Sequence, residues 1–208
     1  MRRSLIVWLA WLVLMAGANL ATPLYPAYAE RFGFSTLVLT AIFATYAIVL
    51  VPGLVLFGRL SDRFGRRPVV SGGLATACVG LALFAAAQGE VWLFGARAVQ
   101  GLGVAMISGA ATAALVEYYP RGNRRRAALG AGLAQAGGSA VGPPFAGVLA
   151  EWAPDPLRLS YLVTLAVTLV AGALVLRLPE RGEERPEQWR PQWRAFRGRS
   201  AVPSFALV

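Results

Sequence analysis

The sequence predicts an all-α integral membrane protein with six transmembrane helices, and three observations support this fold class. Hydrophobic residues make up 57% of the 208 residues and charged residues only 14%, whereas soluble domains are about 25% charged. The apolar stretches are continuous, and they reach the roughly 20 residues that a helix needs to cross a bilayer. They do not alternate as the strands of an outer-membrane barrel do, so that class is excluded.

The composition also excludes several kinds of chemistry. The chain has no His and a single Cys, Cys78, which lies within an apolar stretch. Ser–His or Cys–His catalysis, a disulfide framework and the usual metal ligands are therefore not expected. We expect no catalytic residue, no metal and no cofactor, and we do not expect an enzyme. The net charge is +10, but in a membrane protein Arg residues mark cytoplasmic loops, so nucleic acid is not an expected partner.

The first predicted span covers residues 5–24, and Pro23 and Pro26 are expected to loosen its end. A signal peptide with a cleavage site at Ala16-Gly17-Ala18 is the alternative, but the apolar run continues past that site. A polar break at residues 28–36 follows. The other spans are predicted at residues 37–57, 69–87, 91–118, 127–149 and 157–178.

The distribution of Arg predicts the orientation in the membrane. Seventeen of the 20 Arg residues lie at the start, in the second-to-third loop, in the fourth-to-fifth loop, or at the end of the sixth span and beyond it. This bias places those segments in the cytoplasm. Heavy use of Ala, Gly and Arg is typical of a GC-rich bacterial genome, so the expected location is a bacterial inner membrane.

The chain divides into three predicted parts. Residues 1–178 form the six-helix bundle, and residues 179–200 form a cytoplasmic linker that either lies on the membrane surface as a helix or is simply solvated. Residues 201–208 are too short to cross a bilayer, and we expect them to begin a seventh span of a longer protein.

Residues 58–68, between the second and third spans, carry more chemistry than a connector needs. They hold four Arg, one Asp, two Gly and a terminal Pro. A carboxylate and an Arg four residues apart can form a charge-assisted hydrogen bond, and Glu117 is expected at a similar depth. The residues singled out here are Gly58, Asp62, Arg63, Gly65, Arg66, Arg67 and Glu117.

Three motifs resemble those of the major facilitator superfamily. Gly58-x-Leu60-x-Asp62-Arg63-x-Gly65-Arg66-Arg67 looks like the signature loop of that family. Arg97-x-x-Gln100-Gly101-x-Gly103 is similar to its fourth-helix motif. Gly138-x-x-x-Gly142-Pro143-x-x-Ala146-Gly147 resembles the fifth-helix motif of its drug/proton antiporters, with Ala146 where that motif has Gly.

The resemblance implies a fold and a mechanism. The six helices would be two inverted three-helix repeats, the N-terminal half of a facilitator-type fold, with the substrate site facing a C-terminal half. The loop would lock one conformation, or else it would only set the topology. The fifth-helix glycines would allow a close-packed, bent helix that seals the cavity against leak, or else they would serve only as packing contacts.

Arg97 is the one charged residue well inside a predicted span, where a charge is costly and usually functional. We expect it to face the central cavity and to bond Gln100 or Asn19, with an anchor at the outer rim as the alternative. Further candidates for the cavity are Tyr25, Tyr46 and Gln135.

The predicted function is secondary active transport by alternating access, with proton-coupled efflux of drugs or small metabolites. Uptake of a sugar or organic solute by a facilitator or symporter is the alternative. The expected partners are a small-molecule substrate, protons, the lipid bilayer and the C-terminal half of the same transporter.

Overall fold

A computed structural model describes residues 2–58, 60–118 and 123–179. These residues form eight α-helices and one 3-10 turn at Thr22–Leu24, with no strand, so the predicted all-α class is confirmed. The predicted linker, apart from Pro179, and residues 201–208 lie outside the described residues. The helices are α1 (Arg2–Asn19), α2 (Tyr25–Phe32), α3 (Thr36–Phe57), α4 (Leu60–Phe64), α5 (Arg66–Ala85), α6 (Glu90–Tyr118), α7 (Arg124–Trp152) and α8 (Pro156–Leu176).

Five segments are long and apolar enough to cross a membrane: Arg3–Phe32, Thr36–Phe57, Arg66–Ala85, Glu90–Tyr118 and Pro156–Leu176. The fifth predicted span, α7, is not among them, although it is 29 residues long. Its glycines, Gln135, Ser139 and two prolines make it less apolar than the others. It nevertheless packs lengthwise against α1, so it belongs to the same bundle.

The first predicted span, residues 5–24, is interrupted near the end that Pro23 and Pro26 were expected to loosen. The α-helix ends at Asn19, and a 3-10 turn separates it from α2. A helical hydrogen bond joins an N–H to the carbonyl four residues earlier, and Pro23 lacks the N–H that would bond the Asn19 carbonyl. The Leu20 N–H donates a long, 3.4 Å hydrogen bond to the carbonyl of Gly17, three residues earlier.

The predicted polar break at residues 28–36 is wrong in its first half, because α2 continues to Phe32. Tyr25 and Tyr28 are buried in the core while Glu30 and Arg31 are exposed. The charged residues of this short amphipathic helix therefore led to the prediction of a polar break. Gly33 ends the helix with φ 71°, a conformation that suits glycine, and donates its N–H to the Ala29 carbonyl at 2.9 Å.

The helices pack as a bundle in which α6 contacts α3 and α5, and α1 contacts α7 and α8. In two inverted repeats, the first, second and third spans correspond to the fourth, fifth and sixth. The α1–α7 pair joins the first and fifth spans, and it therefore corresponds to the α6–α3 pair, which joins the fourth and second. Small residues bring both pairs close. A β-carbon built on Gly101 would lie 2.7 Å from the Tyr46 carbonyl oxygen, and one built on Gly109 would lie 2.8 Å from that of Gly58.

Candidate functional site

Arg97 lies deep inside the bundle, on α6, with 3% of its surface exposed. Its guanidinium donates hydrogen bonds to the Tyr25 hydroxyl, to the Ala18 carbonyl oxygen at 2.9 Å and to Gln100 Oε1 at 3.1 Å. Of the two partners expected from the sequence, Gln100 is therefore bonded. No hydrogen bond between Arg97 and Asn19 is recorded among the described residues.

Arg97 and Gln100 together cap the broken end of α1. The last four carbonyl groups of an α-helix have no partner within the helix. Gln100 Nε2 donates to the Gly17 carbonyl at 3.1 Å, and Arg97 takes the next carbonyl, that of Ala18. A cation at this position is also favoured by the helix dipole. Two side chains of α6 thus replace hydrogen bonds that the break in the first span removes.

Aromatic rings surround the guanidinium on several sides. Arg97 Cζ lies 5.2 Å from the ring centroid of Tyr25, 5.3 Å from Phe43, 5.7 Å from Tyr46 and 5.8 Å from Phe84. Distances below about 6 Å allow cation–π attraction. Among the described residues, no Asp or Glu forms an ion pair with Arg97. Ring faces, carbonyls and a hydroxyl therefore balance its charge. We call Gly17, Ala18, Tyr25, Arg97 and Gln100 the helix-break site.

The glycines of α7 meet the same part of α1. A β-carbon on Gly138 would lie 2.3 Å from the Leu12 carbonyl oxygen, and one on Gly142 would lie 2.3 Å from that of Ala16. Only glycine allows the two backbones to approach so closely. Asn19 Nδ2 donates to the Met15 carbonyl at 2.9 Å and to Ser139 Oγ at 3.2 Å. The fourth-helix and fifth-helix motifs, separate in sequence, thus converge on residues 12–19.

The other members of the fifth-helix motif do not contact α1 in this way. Pro143 lies within α7, which stays helical from Arg124 to Trp152. A β-carbon on Gly147 would have no neighbour within 4 Å outside its own helix. Gln135 is exposed on α7 and is not part of the helix-break site, whereas Tyr46 is half-buried beside Arg97.

A second polar cluster lies at the opposite end of α6. Arg66 donates to Ser61 Oγ at 3.0 Å and to the Asp62 carboxylate, and its Nε lies 3.7 Å from Glu117 Oε2. The side chains are partly exposed, by 27% for Arg66, 56% for Asp62 and 28% for Glu117. Each such pair contributes about 0.2–1 kcal/mol. These four residues, the Arg66 cluster, tie α4, α5 and α6 together.

The remaining loop residues shape the chain around this cluster. Gly65 has φ 89°, which favours glycine, and the backbone of Gly58 lies against Gly109 of α6. The Arg63 guanidinium lies 5.1 Å from the ring of Phe64. The Arg67 carbonyl accepts a 2.9 Å hydrogen bond from Ser71 Oγ.

Sequence reasoning missed several contacts of both clusters. Phe43 and Phe84 stand in uniformly apolar runs, so no pattern distinguished them. The carbonyls of Gly17 and Ala18 belong to the backbone, and Pro23 signals only that the helix ends near Asn19. No group of three or more His, Cys, Asp or Glu that could hold a metal ion is present in the part of the chain that the structure describes.

Comparison with known proteins gives consistent matches. A family model described as Major Facilitator Superfamily matches residues 7–208. The human vesicular acetylcholine transporter is 36% identical over 155 residues, which cover 74% of this chain and 28% of the human protein. The vesicular acetylcholine transporter of Torpedo marmorata is 34% identical over 140 residues, covering 65% of this chain and 26% of that protein.

A bacterial protein matches as well. The triacylglyceride transporter of Mycobacteroides abscessus is 29% identical over 136 residues, covering 65% of this chain and 26% of that protein. The chain thus spans less than a third of the length of each of these relatives.

Proposed function

The chain belongs to the Major Facilitator Superfamily, and from that premise we propose that it is the N-terminal six-helix half of a secondary active transporter. The transporter would export drugs or small metabolites in exchange for protons, and a second six-helix unit would complete its substrate site. Alternating access would come from rocking of the two halves about that site.

The observation that supports this proposal is the convergence of two motifs on the break in the first span. Transporters of this kind place discontinuous helices at the membrane midplane, where the freed backbone groups need partners. Here Arg97 and Gln100 supply those partners from α6, while Gly142 brings α7 against the same segment. The three helices can then move as one unit while the cavity beside them opens and closes.

The Arg66 cluster would control one end of the cavity. It links the loop after α3 to the end of α6 through one guanidinium and two carboxylates. We propose that these ion pairs stabilise one conformation of the transporter and break during the transition to the other. Their partial exposure keeps each contribution small, so the cluster can open repeatedly.

The names of the relatives leave the cargo open. Acetylcholine and triacylglyceride, which appear in those names, differ greatly in size, charge and polarity.

Replacing Asp62 tests the proposed role of the Arg66 cluster. Asp62→Asn keeps the shape of the side chain but removes the charge that accepts from Arg66. An exposed pair of this kind contributes about 0.2–1 kcal/mol, so we expect proton-driven cargo uptake by inside-out vesicles containing the intact transporter to fall by up to about fivefold. The amount of protein in the membrane should not change.

Asp155→Asn is the matched control. Asp155 is also an exposed carboxylate paired with Arg, at 3.7 Å from Arg158, but it lies at the other end of the bundle. Its replacement should leave uptake unchanged. Full transport by Asp62→Asn would contradict the proposed role, and transport that persists after a protonophore collapses the gradient would indicate uptake by a facilitator instead.

A further inference from the structure

Beside the helix-break site lies a small cavity where α1, α5, α6 and α8 meet. Its volume is about 10 Å³, which is close to the minimum that admits one water molecule. The apolar part of its wall is formed by Leu14, Gly17, Ala18, Ala77, Leu81 and Val104. Two polar side chains complete the wall, Gln100 of α6 and Thr168 of α8. The size suits one water molecule rather than an organic ligand.

The hydrogen bonds of Gln100 leave one of its donors without an acceptor. Arg97 can only donate and the Gly17 carbonyl can only accept, so the two 3.1 Å bonds fix which end of the Gln100 amide is oxygen. Nε2 carries two N–H groups, and the hydrogen bonds between described residues use one of them. Gln100 is 3% exposed, and a buried N–H without an acceptor is destabilising. An acceptor inside the cavity would remove that cost.

Thr168 supplies a second polar group from the facing helix. It is 1% exposed, and its hydroxyl donates to the Thr164 carbonyl at 2.7 Å. That bond uses the only proton of the hydroxyl, so Oγ1 can take part in a further bond only as an acceptor. Thr164, one turn earlier, is 6% exposed and donates to the Ser160 carbonyl at 2.8 Å. Thr168 differs from it in lining the cavity, and not in its bond within the helix.

We propose that one buried water molecule occupies this cavity and joins α6 to α8. Its oxygen accepts the second Nε2–H of Gln100, and one of its O–H groups donates to Thr168 Oγ1. Buried waters make about 2–4 hydrogen bonds, and these two meet that minimum. Gln100 then bonds the end of α1 directly and α8 through the water, so the helix-break site is connected to the sixth span. This role is structural and does not depend on what the transporter carries.

Thr168→Val tests the proposal, because it removes the acceptor but keeps the size and branching of the side chain. Thr164→Val is the matched control: each variant loses a hydroxyl that bonds the carbonyl four residues earlier, and only Thr168 lines the cavity. Denaturant unfolding of the intact protein in detergent, followed by helical circular dichroism, compares them. We expect the unfolding equilibrium constant to rise about fivefold more in Thr168→Val, the effect of one hydrogen bond. Equal rises, or a larger rise in Thr164→Val, would overturn the proposal.

A crystal or electron cryomicroscopy map that resolves ordered water detects the molecule without any variant. It should show a peak at about 2.7–3.2 Å from both Gln100 Nε2 and Thr168 Oγ1. The peak should persist in Thr164→Val and be absent from Thr168→Val. A cavity without density in the unsubstituted protein, or a peak beyond hydrogen-bond distance of either atom, would contradict the proposal. A peak that remains in Thr168→Val would show that Thr168 does not hold the water, which also overturns it.

Discussion

At the scale of single residues, Arg97 illustrates how a charge is accommodated inside a membrane protein. Insertion of Arg near the bilayer centre costs about 2.5–3.5 kcal/mol. Here the guanidinium bonds a hydroxyl, a carbonyl and an amide oxygen, and aromatic rings face it. Each contact uses the flat, forked shape of the group, which an ammonium does not share.

Arg97→Lys should therefore destabilise the fold although it keeps the charge. A lysine cannot reach Tyr25, Ala18 and Gln100 together, so at least one buried group loses its partner, at a cost of about 1–3 kcal/mol. Denaturant unfolding in lipid or detergent, followed by helical circular dichroism, measures the change. Arg158→Lys is the control, because Arg158 is half-exposed and its ion pair contributes about 1 kcal/mol at most. Equal stability of the two variants would show that the buried contacts of Arg97 are not stabilising.

The sequence identified Arg97 and its partner Gln100, but not the other groups that Arg97 contacts. A charge within a predicted span is visible from hydropathy alone, and Gln100 three residues later is on the same helix face. Ala18 and Phe84 approach Arg97 only through tertiary packing.

At the scale of elements, most helices could be predicted and their interruptions could not. Spans of apolar sequence located α3, α5, α6 and α8 to within a few residues, since length and hydropathy decide whether a helix can cross a membrane. For the first span the loosening by Pro23 and Pro26 was predicted, but the helix end at Asn19 was not, because the apolar run continues past that residue. Hydropathy indicates which residues can lie in lipid. The missing N–H of Pro23, which hydropathy does not register, interrupts the hydrogen bonding of the helix.

The α1–α7 contact predicts a sharp difference between two glycines of one motif. Gly142→Ala would force a methyl group to 2.3 Å from the Ala16 carbonyl oxygen, whereas Gly147→Ala meets nothing. We expect the first substitution to lower the free energy of unfolding by about 1–3 kcal/mol through overpacking. The second should be neutral or raise it by up to about 1 kcal/mol through helix propensity. Thermal unfolding of the two variants distinguishes these outcomes, and similar midpoints would contradict close packing at Gly142.

At the scale of the whole molecule, the surface is apolar in the middle and charged at both ends. Large side chains such as Leu37, Ile48 and Val51 are exposed by 78%, 68% and 61%, which suits contact with hydrocarbon or with another helical unit. The Arg66 cluster and the start of α7 lie at one end, and Glu30 and Asp155 lie at the other.

This separation of charges predicts which end faces the cytoplasm. In cells expressing the chain with Cys78→Ser, an impermeant maleimide should label Glu30→Cys from outside. Arg63→Cys should react only after the membrane is opened, because the Arg-rich end stays inside. Both positions are exposed in the structure, so accessibility alone does not separate them. The reverse labelling pattern would contradict the orientation.

The unbroken length of α6 has a mechanical consequence. Arg97 and Glu117 stand twenty residues apart on one helix, which corresponds to about 30 Å along its axis. A stiff rod of that length pivoting by about ten degrees at its middle carries its ends about 3 Å in opposite directions. Loss of the ion pair at Glu117 would then displace Arg97 and the end of α1 that it caps. No series of contacting side chains between these two sites is needed.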